Sequence, residues 1–277
     1  MLPHNKYSTT FDIPSSNATV SISRFNIGNI TAQNQFHTLI FPVIPGRDMM
    51  ELPMYAFLVQ HGQRKVMFDL GIRKDPLNFV PSLAAPFASG QFAPSHFDTD
   101  IFDLLGQAGI APSSIESVIW SHAHFDHIGD MSKFPNTTSL VIGSETDVST
   151  YPTNPNATLQ ESDFAGRNIT PIDFSKSSLE INDLRAVDYF GDGSFYLLDT
   201  PGHIAGHLTG LARVTANPST FILLAGDTFH HVGEARPRPA LQANFPCPAH
   251  IVESSRGHVS TDYFFSPGSS DGQVRSG

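Results

Sequence analysis

Short apolar runs separated by turn residues recur along the chain and predict a structure rich in β-strands. Two of these runs, at 55–59 and 65–69, flank His61-Gly62-Gln63, which is typical of a β-hairpin. A weaker alternation at Val20, Ile22 and Phe25 indicates an edge strand. Further buried strands are predicted at 118–120, 140–142, 195–198 and 221–224.

Apolar positions follow the spacing of an amphipathic helix in one segment, at Ile101, Leu104, Leu105 and Ala108. Asp98 or Thr99 is predicted to cap this helix, and Gly109 to end it. The preceding residues 80–97 carry three prolines among small side chains, which predicts a surface loop or a lid over a substrate. Strands followed by mixed helix and strand indicate layered α/β structure.

The length and composition allow one large or two small domains. The chain has 277 residues, 40% of them hydrophobic, which is enough to bury a sizeable core. We assign residues 37–265 to one main domain and residues 1–36 to an N-terminal strand and extension. Residues 266–277 are rich in Gly and Ser and are expected to be disordered.

The charge balance excludes several classes of partner. With 26 acidic and 16 basic residues the formal charge is −10, which argues against binding to a nucleic-acid backbone. No apolar run approaches the ~20 residues of a membrane-spanning helix. The first 20 residues lack the basic and apolar stretches of a secretory signal, so a cytoplasmic location is expected. A small molecule is therefore the expected substrate, and the sequence does not determine the oligomeric state.

The residues with metal-binding chemistry are histidines and carboxylates. Cys247 is the single cysteine, so a zinc site built from several thiolates is excluded. Four potential ligands directly follow the strand at 118–120: His122, His124, Asp126 and His127. His203 and Asp227 follow two other predicted strands, as expected if one sheet edge delivers all six to a common site. Nitrogen and oxygen donors of this kind suit Zn, Fe or Mn. The other interpretation, a histidine-rich surface loop, does not account for this shared placement.

In these motifs the sequence resembles the metallo-β-lactamase superfamily. His-x-His-x-Asp-His stands at 122–127, Pro-Gly-His-x-x-Gly-His at 201–207, Gly-Asp at 226–227 and MFDLG at 67–71. The resemblance covers roughly residues 37–232 and is strongest to fungal lactonase-like hydrolases. It implies a four-layered αβ/βα sandwich with the metals between two sheets.

The resemblance also implies a role for each motif residue. Three histidines would hold a first metal (His122, His124 and His203), Asp126 and His127 would hold a second, and Asp227 would bridge the two. Asp69 would support the ligands from behind, and His207 would be structural, hydrogen-bonding near the site. One or two zinc ions are expected, with iron or manganese as alternatives.

The implied activity is metal-dependent opening of a lactone or lactam ring. A metal-bound hydroxide would attack the acyl carbon, and Asp126 would orient the water and carry its proton to the leaving group. The alternatives are a thioesterase acting on polyketide or glutathione thioesters, an iron-dependent sulfur dioxygenase, and a truncated, inactive relative.

Two positions depart from the pattern. His230 stands where the lactonase branch commonly has tyrosine, and it is either a hydrogen-bond donor and general acid or only a loop residue. The last histidine ligand of the superfamily has no clear counterpart, because neither His250 nor His258 has the expected sequence context. We therefore expect a domain incomplete at its C-terminus, with a weaker second metal site and exposed apolar surface.

Overall fold

The computed structural model describes residues 12–33, 49–95 and 98–230. A seven-stranded sheet contains, in spatial order, β4 (Phe92–Ser95), β1 (Ser21–Gln33), β2 (Met49–His61), β3 (Arg64–Phe68), β5 (Ser117–Ile119), β6 (Ser139–Gly143) and β9 (Ile169–Ile172). A five-stranded sheet contains β10 (Glu180–Ile181), β11 (Leu184–Asp188), β12 (Phe195–Asp199), β13 (Leu208–Ala216) and β14 (Ser219–Leu224). Two short strands, β7 (Thr150–Tyr151) and β8 (Leu159–Gln160), form a separate parallel pair.

The helices of the described ranges are short and lie between strands, over residues 76–176. The α-helices are α1 (Pro81–Ala88), α2 (Ile101–Gln107), α3 (Phe125–Ile128) and α4 (Glu161–Phe164). Single 3-10 turns occupy Pro76–Asn78, Pro112–Ser114, Met131–Lys133 and Phe174–Lys176. No helix of the described ranges is long and apolar enough to cross a membrane.

The strand directions bring several chain segments to one edge of the sandwich. β3, β5, β6 and β9 run parallel, so the residues that follow each strand emerge at the same edge. The five-stranded sheet is antiparallel throughout. The predicted hairpin is confirmed as β2 and β3, and the strands predicted from 118 onwards are confirmed as β5, β6, β12 and β14.

Alternating side chains on the seven-stranded sheet build two separate cores. Leu58 and Met67 face one core, which also contains Leu105 of α2, whereas Val59 and Phe68 face the other. The second core lies between the sheets and includes buried residues of β12 and β13. This period of two is expected of strands that are covered on both faces.

These layers give the α/β sandwich of the metallo-β-lactamase type that the motifs implied. Helices, the seven-stranded sheet and the five-stranded sheet stack in that order. The outer face of the five-stranded sheet buries a smaller apolar cluster around Tyr196 and Leu198. In the part of the chain that the structure describes, no helix covers that face.

Two local predictions were wrong. The expected loop at 80–97 contains α1 and β4, and Pro81 is accommodated in the first turn, where a missing N–H costs nothing. The N-cap of α2 is Asp100, one or two residues later than predicted, because Asp100 and Asp103 form a reciprocal capping box. The predicted edge strand is confirmed for residues 21–26 of β1, which in the described part of the chain pair with β2 alone, whereas β4 covers residues 29–32.

Polar contacts join the two sheets at the end where β3, β5 and β12 begin. The Ser117 and Tyr189 hydroxyls are 2.7 Å apart, and His61 Nε2 lies 2.7 Å from Asp192 Oδ2. The His61 ring also stacks on Phe190 with ring centroids 4.6 Å apart. These contacts close the end of the sandwich opposite the residues that follow β3 and β5.

The predicted tail at 266–277 lies outside the described residues.

Candidate metal centre

The segment after β5 changes from extended chain to helix within a few residues. His124 is the N-cap of α3 and has an extended backbone, so His122 and His124 lie on one side of the chain. Asp126 and His127 lie in the first turn of α3 and project toward a neighbouring point. Residues after β12 and β14 supply His203 and Asp227 from the other sheet. The structure brings all six predicted ligands together at the junction of the two sheets.

Three imidazoles and one carboxylate form the first group of candidate ligands. His124 Nδ1 lies 2.9 Å from His122 Nε2 and 2.9 Å from His203 Nε2. Asp227 Oδ2 is 3.5 Å from His203 Nε2 and 3.9 Å from His122 Nε2. One atom from each residue lies within 4.8 Å of the others, which fits a single tetrahedral ion.

Asp126, His127 and Asp227 form the second group. His127 Nε2 lies 3.0 Å from Asp227 Oδ1 and 3.7 Å from Asp126 Oδ2. Asp227 thus turns one carboxylate oxygen to each group. This is the arrangement of a carboxylate that bridges two cations, and both groups fit divalent ions.

Burial keeps the first group of imidazoles neutral. It lowers the pKa of His122 strongly and lowers the pKa of His203 to about 4. A neutral imidazole has one nitrogen with a free lone pair, which is the form that binds a metal. These side chains are therefore held ready as ligands at neutral pH.

The second group attracts positive charge. Burial opposes protonation of His127, yet Asp69, Asp126 and Asp227 together raise its pKa well above the usual value. Burial likewise opposes ionisation of Asp227, but hydrogen bonds from His127 and His230 hold its pKa below the usual value. A divalent cation supplies the positive charge that these carboxylates favour.

Two side chains behind the ligands fix their orientation. Asp69 accepts hydrogen bonds from the Ser121 backbone N–H at 2.6 Å and from His127 Nδ1 at 2.8 Å. His207 is buried; its Nδ1–H donates to the Thr200 carbonyl at 2.9 Å, and its Nε2 accepts the backbone N–H of Asp227 at 3.1 Å. The motif predicted Asp69 and His207, whereas Ser121 and Thr200 were missed.

The side chain of His230 lies at the candidate metal centre. Its Nε2 lies 3.2 Å from Asp227 Oδ2, and its ring centroid is 5.3 Å from that of His203. His250 and His258, considered as the last ligand, lie outside the described residues.

An aromatic cluster adjoins the ligand segment. Phe125, between His124 and Asp126 in the sequence, has its ring 5.6 to 6.2 Å from three others, those of Phe79, Phe87 and Phe92. α1 presents no fully buried residue, so it lies at the surface over this cluster.

Comparison with known proteins places this geometry in a family. A model described as the metallo-beta-lactamase superfamily matches residues 51–265. The chain belongs to the metallo-β-lactamase superfamily. Members of this superfamily typically bind divalent metals, in agreement with the two ligand groups.

The relatives of this metallo-β-lactamase superfamily chain include fungal enzymes. Gamma-lactamase MBL2 of Gibberella moniliformis is 43% identical over 178 residues, which are 63% of this chain and 74% of that protein. Cytochrome P450 monooxygenase mpaDE' of Penicillium brevicompactum is 39% identical over 271 residues, which are 91% of this chain and 31% of that protein. The chain thus spans less than a third of the mpaDE proteins. Metallo-hydrolase mfmC of Annulohypoxylon moriforme and gamma-lactamase FDB1 of Fusarium pseudograminearum are also among the similar proteins.

A solved structure shows the same fold. An N-acyl homoserine lactone hydrolase, with the product N-hexanoyl-L-homoserine bound at its catalytic metal center, superposes with a TM-score of 0.55. The two sequences are 19% identical over 76% of this chain and 75% of the other.

Proposed function

We propose that this protein is a metal-dependent hydrolase that opens a lactone or lactam ring of a small molecule. The observation that carries the proposal is the pair of ligand groups that share Asp227, one carboxylate oxygen facing each group. The gamma-lactamase and lactonase relatives favour a cyclic amide or ester over other acyl substrates.

Six residues would hold the metal ions. The first ion is assigned to His122, His124, His203 and Asp227, and the second to Asp126, His127 and the same Asp227. Zinc fits these nitrogen and oxygen donors, and iron and manganese are alternatives with the same donor preference. Bound ions would supply Lewis acidity toward the substrate carbonyl and make an adjacent water more acidic.

Asp126 is proposed to handle the proton. Burial raises the pKa of Asp126 in the metal-free protein, and we propose that this carboxyl accepts a proton from the attacking water. The same oxygen would then donate that proton to the leaving alkoxide or amide nitrogen. The carboxylate lies 3.7 Å from His127, so it is held within the centre throughout.

His230 is proposed to donate a hydrogen bond to the substrate. Its Nε2 lies within 3.2 Å of Asp227, which places the imidazole beside the first ligand group. A His230→Phe variant should lose at least about tenfold in rate, as expected for removal of a general acid or polar donor. Retention of the full rate would instead assign His230 to the loop alone.

The aromatic cluster favours an apolar substituent on the substrate. Residues 76–97 contain no Asp, Glu, Lys or Arg, and this segment supplies Phe79, Phe87 and Phe92. These rings pack on Phe125, whose neighbours in the chain are candidate ligands. An acyl or aromatic group attached to the ring would be received there without desolvating a charge.

Metal analysis combined with a substrate panel tests the proposal. The purified protein should contain up to two zinc ions and should hydrolyse a lactone or a lactam faster than a thioester. His122→Ala and Asp227→Ala should each lose at least about tenfold in metal affinity and in rate. His61→Ala, which removes an imidazole at the opposite end of the sandwich, is the matched control and should keep both.

Three results would reject parts of the proposal. A parent protein without metal, or one whose rate survives both ligand substitutions, rejects the mechanism. Preference for thioesters assigns the protein to the thioesterase alternative. Zinc binding without hydrolysis of any class assigns it to the inactive alternative.

A further inference from the structure

Ser121 lies where the two sheets and both ligand groups meet. The residue lies two positions after the end of β5 and is fully buried, at 0% exposure. Its backbone N–H donates to Asp69 Oδ1, and its carbonyl accepts the N–H of Leu208, the first residue of β13, at 2.8 Å. The backbone of Ser121 is therefore fixed to both sheets, which leaves its hydroxyl little freedom.

The hydroxyl has one hydrogen-bonding arrangement that satisfies its partners. Ser121 Oγ lies 2.8 Å from Asp69 Oδ2 and 3.0 Å from His122 Nδ1. The Asp69 carboxylate can only accept, so Oγ donates its single proton to Asp69 and its lone pairs face the imidazole. His122 Nδ1 must then carry the proton of the neutral ring. The free lone pair of His122 is consequently on Nε2, the atom that faces His124 and Asp227.

The same hydroxyl also contacts the second ligand group. Ser121 Oγ is 3.4 Å from His127 Nδ1, and that nitrogen donates to the Asp69 oxygen that Oγ also contacts. Ser121 and Asp69 thus form one hydrogen-bonded unit behind a histidine of each group. Loss of the hydroxyl releases His122 directly and removes one of the donors that hold Asp69 against His127.

The surroundings of Ser121 are closely packed. A Cβ built on Gly226, next to Asp227, would lie 2.9 Å from both Ser121 Cβ and Ser121 Oγ. A hydroxyl occupies less volume than a water molecule, so we expect no water to restore the hydrogen bonds in a Ser121→Ala variant.

We propose that Ser121 is a positioning residue that fixes the Nδ1–H tautomer of His122 and couples the two ligand groups through Asp69. This inference depends on the proposed metal site but concerns the protein before metal is bound. Removal of the hydroxyl should weaken zinc binding about 10- to 100-fold, as is usual for partners behind metal ligands.

The test compares three variants in zinc-free protein and in zinc titrations. Ser121→Ala removes the hydroxyl, and Ser121→Cys fills the same space with a weak donor. Ser117→Ala is the matched control, because Ser117 is an equally buried serine on β5 whose hydroxyl contacts Tyr189 far from the centre. Zinc affinity is measured by competition with a chromophoric chelator, and ring tautomers by long-range ¹⁵N correlation spectra of the zinc-free protein.

The expected result is weaker zinc binding in Ser121→Ala and Ser121→Cys, with the His122 ring signals changed from the single Nδ1–H pattern. Ser117→Ala should match the parent in both measurements. Full zinc affinity in Ser121→Ala overturns the inference. Full zinc affinity in Ser121→Cys overturns it as well, since it would mean that only the volume of the side chain matters. If Ser121→Ala does not fold, Ser121→Cys alone decides by the same criteria. If the parent protein binds no zinc, the proposed function is wrong, and the tautomer spectra still test the role of Ser121.

Discussion

Asp163 is a buried carboxyl whose titration should make the stability of the fold depend on pH. It is the third residue of α4, has 4% exposure, and accepts the backbone N–H of Gln160 at 2.9 Å. Burial and the nearby Asp130 raise its pKa to about 6, although Arg73 and Arg167 oppose this shift. The folded protein therefore retains the Asp163 proton at pH values where the unfolded chain has released it.

The sign and size of the effect follow from this shift. Well below pH 3.8 the carboxyl is protonated in both states, and its favourable contribution to folding is fully present. The contribution is lost as the pH rises through about 6, because ionisation in the buried site is opposed. A shift from 3.8 to about 6 corresponds to about 3 kcal/mol at 1.36 kcal/mol per pH unit.

An Asp163→Asn variant isolates the contribution of this carboxyl to the pH dependence of stability. The amide oxygen still accepts the Gln160 N–H, but the side chain no longer titrates. The free energy of unfolding of the variant minus that of the parent should increase by about 3 kcal/mol between pH 3 and pH 8. Urea denaturation at several pH values measures the difference, in which the titrations of all other groups cancel.

Asp147→Asn serves as a control with the opposite sign. Asp147 is exposed and its pKa is lowered by hydrogen bonds from Ser149, so its contribution to folding increases with pH. A pH-independent difference for Asp163→Asn would refute the argument that burial governs the Asp163 carboxyl.

Four further substitutions test other parts of the structure. His207→Ala should weaken zinc binding in a chelator titration and lower the unfolding free energy by about 1 to 3 kcal/mol, because a buried backbone N–H loses its acceptor. Gly143→Ala should lower the melting temperature, since its Cβ would meet the Gly206 carbonyl, whereas Gly106→Ala in helix α2 meets no neighbour and should raise it. Arg213→Met should cost about 3 kcal/mol in urea denaturation, because three hydrogen bonds from a buried guanidinium are lost; an unchanged midpoint would contradict this.

The features that were predictable from the sequence depend on local periodicity. Strands buried on both faces produced unbroken apolar runs, and the ligands followed those runs at fixed spacing. The hairpin of β2 and β3 was recognisable because Gly62 marks its turn with a positive φ of 59°. Parallel strand ends then explain why distant motifs meet at one edge.

The features that were missed depend on tertiary contacts. Residues 81–88 form a helix despite Pro86, and Phe87 of that helix packs against Phe125. The N-cap shifted to Asp100 because only that residue can exchange hydrogen bonds with Asp103. Ser121 was not predicted, because the local sequence does not show which buried hydroxyl will contact Asp69, a residue 52 positions away.

The two ends of the sandwich are held together by different chemistry. At one end, hydrogen bonds and a stacked ring between the sheets are permanent parts of the chain. At the other, the candidate ligands come from both sheets, with His122 after β5 and His203 and Asp227 after β12 and β14. An ion bound there would cross-link the sheets, so that metal concentration becomes a variable of folding: a free metal at about 1,000 times its Kd adds about 4 kcal/mol to stability. The hydrogen bond from Leu208 to Ser121 already joins the sheets at this end, and bound metal would make the further stability of that junction depend on metal supply.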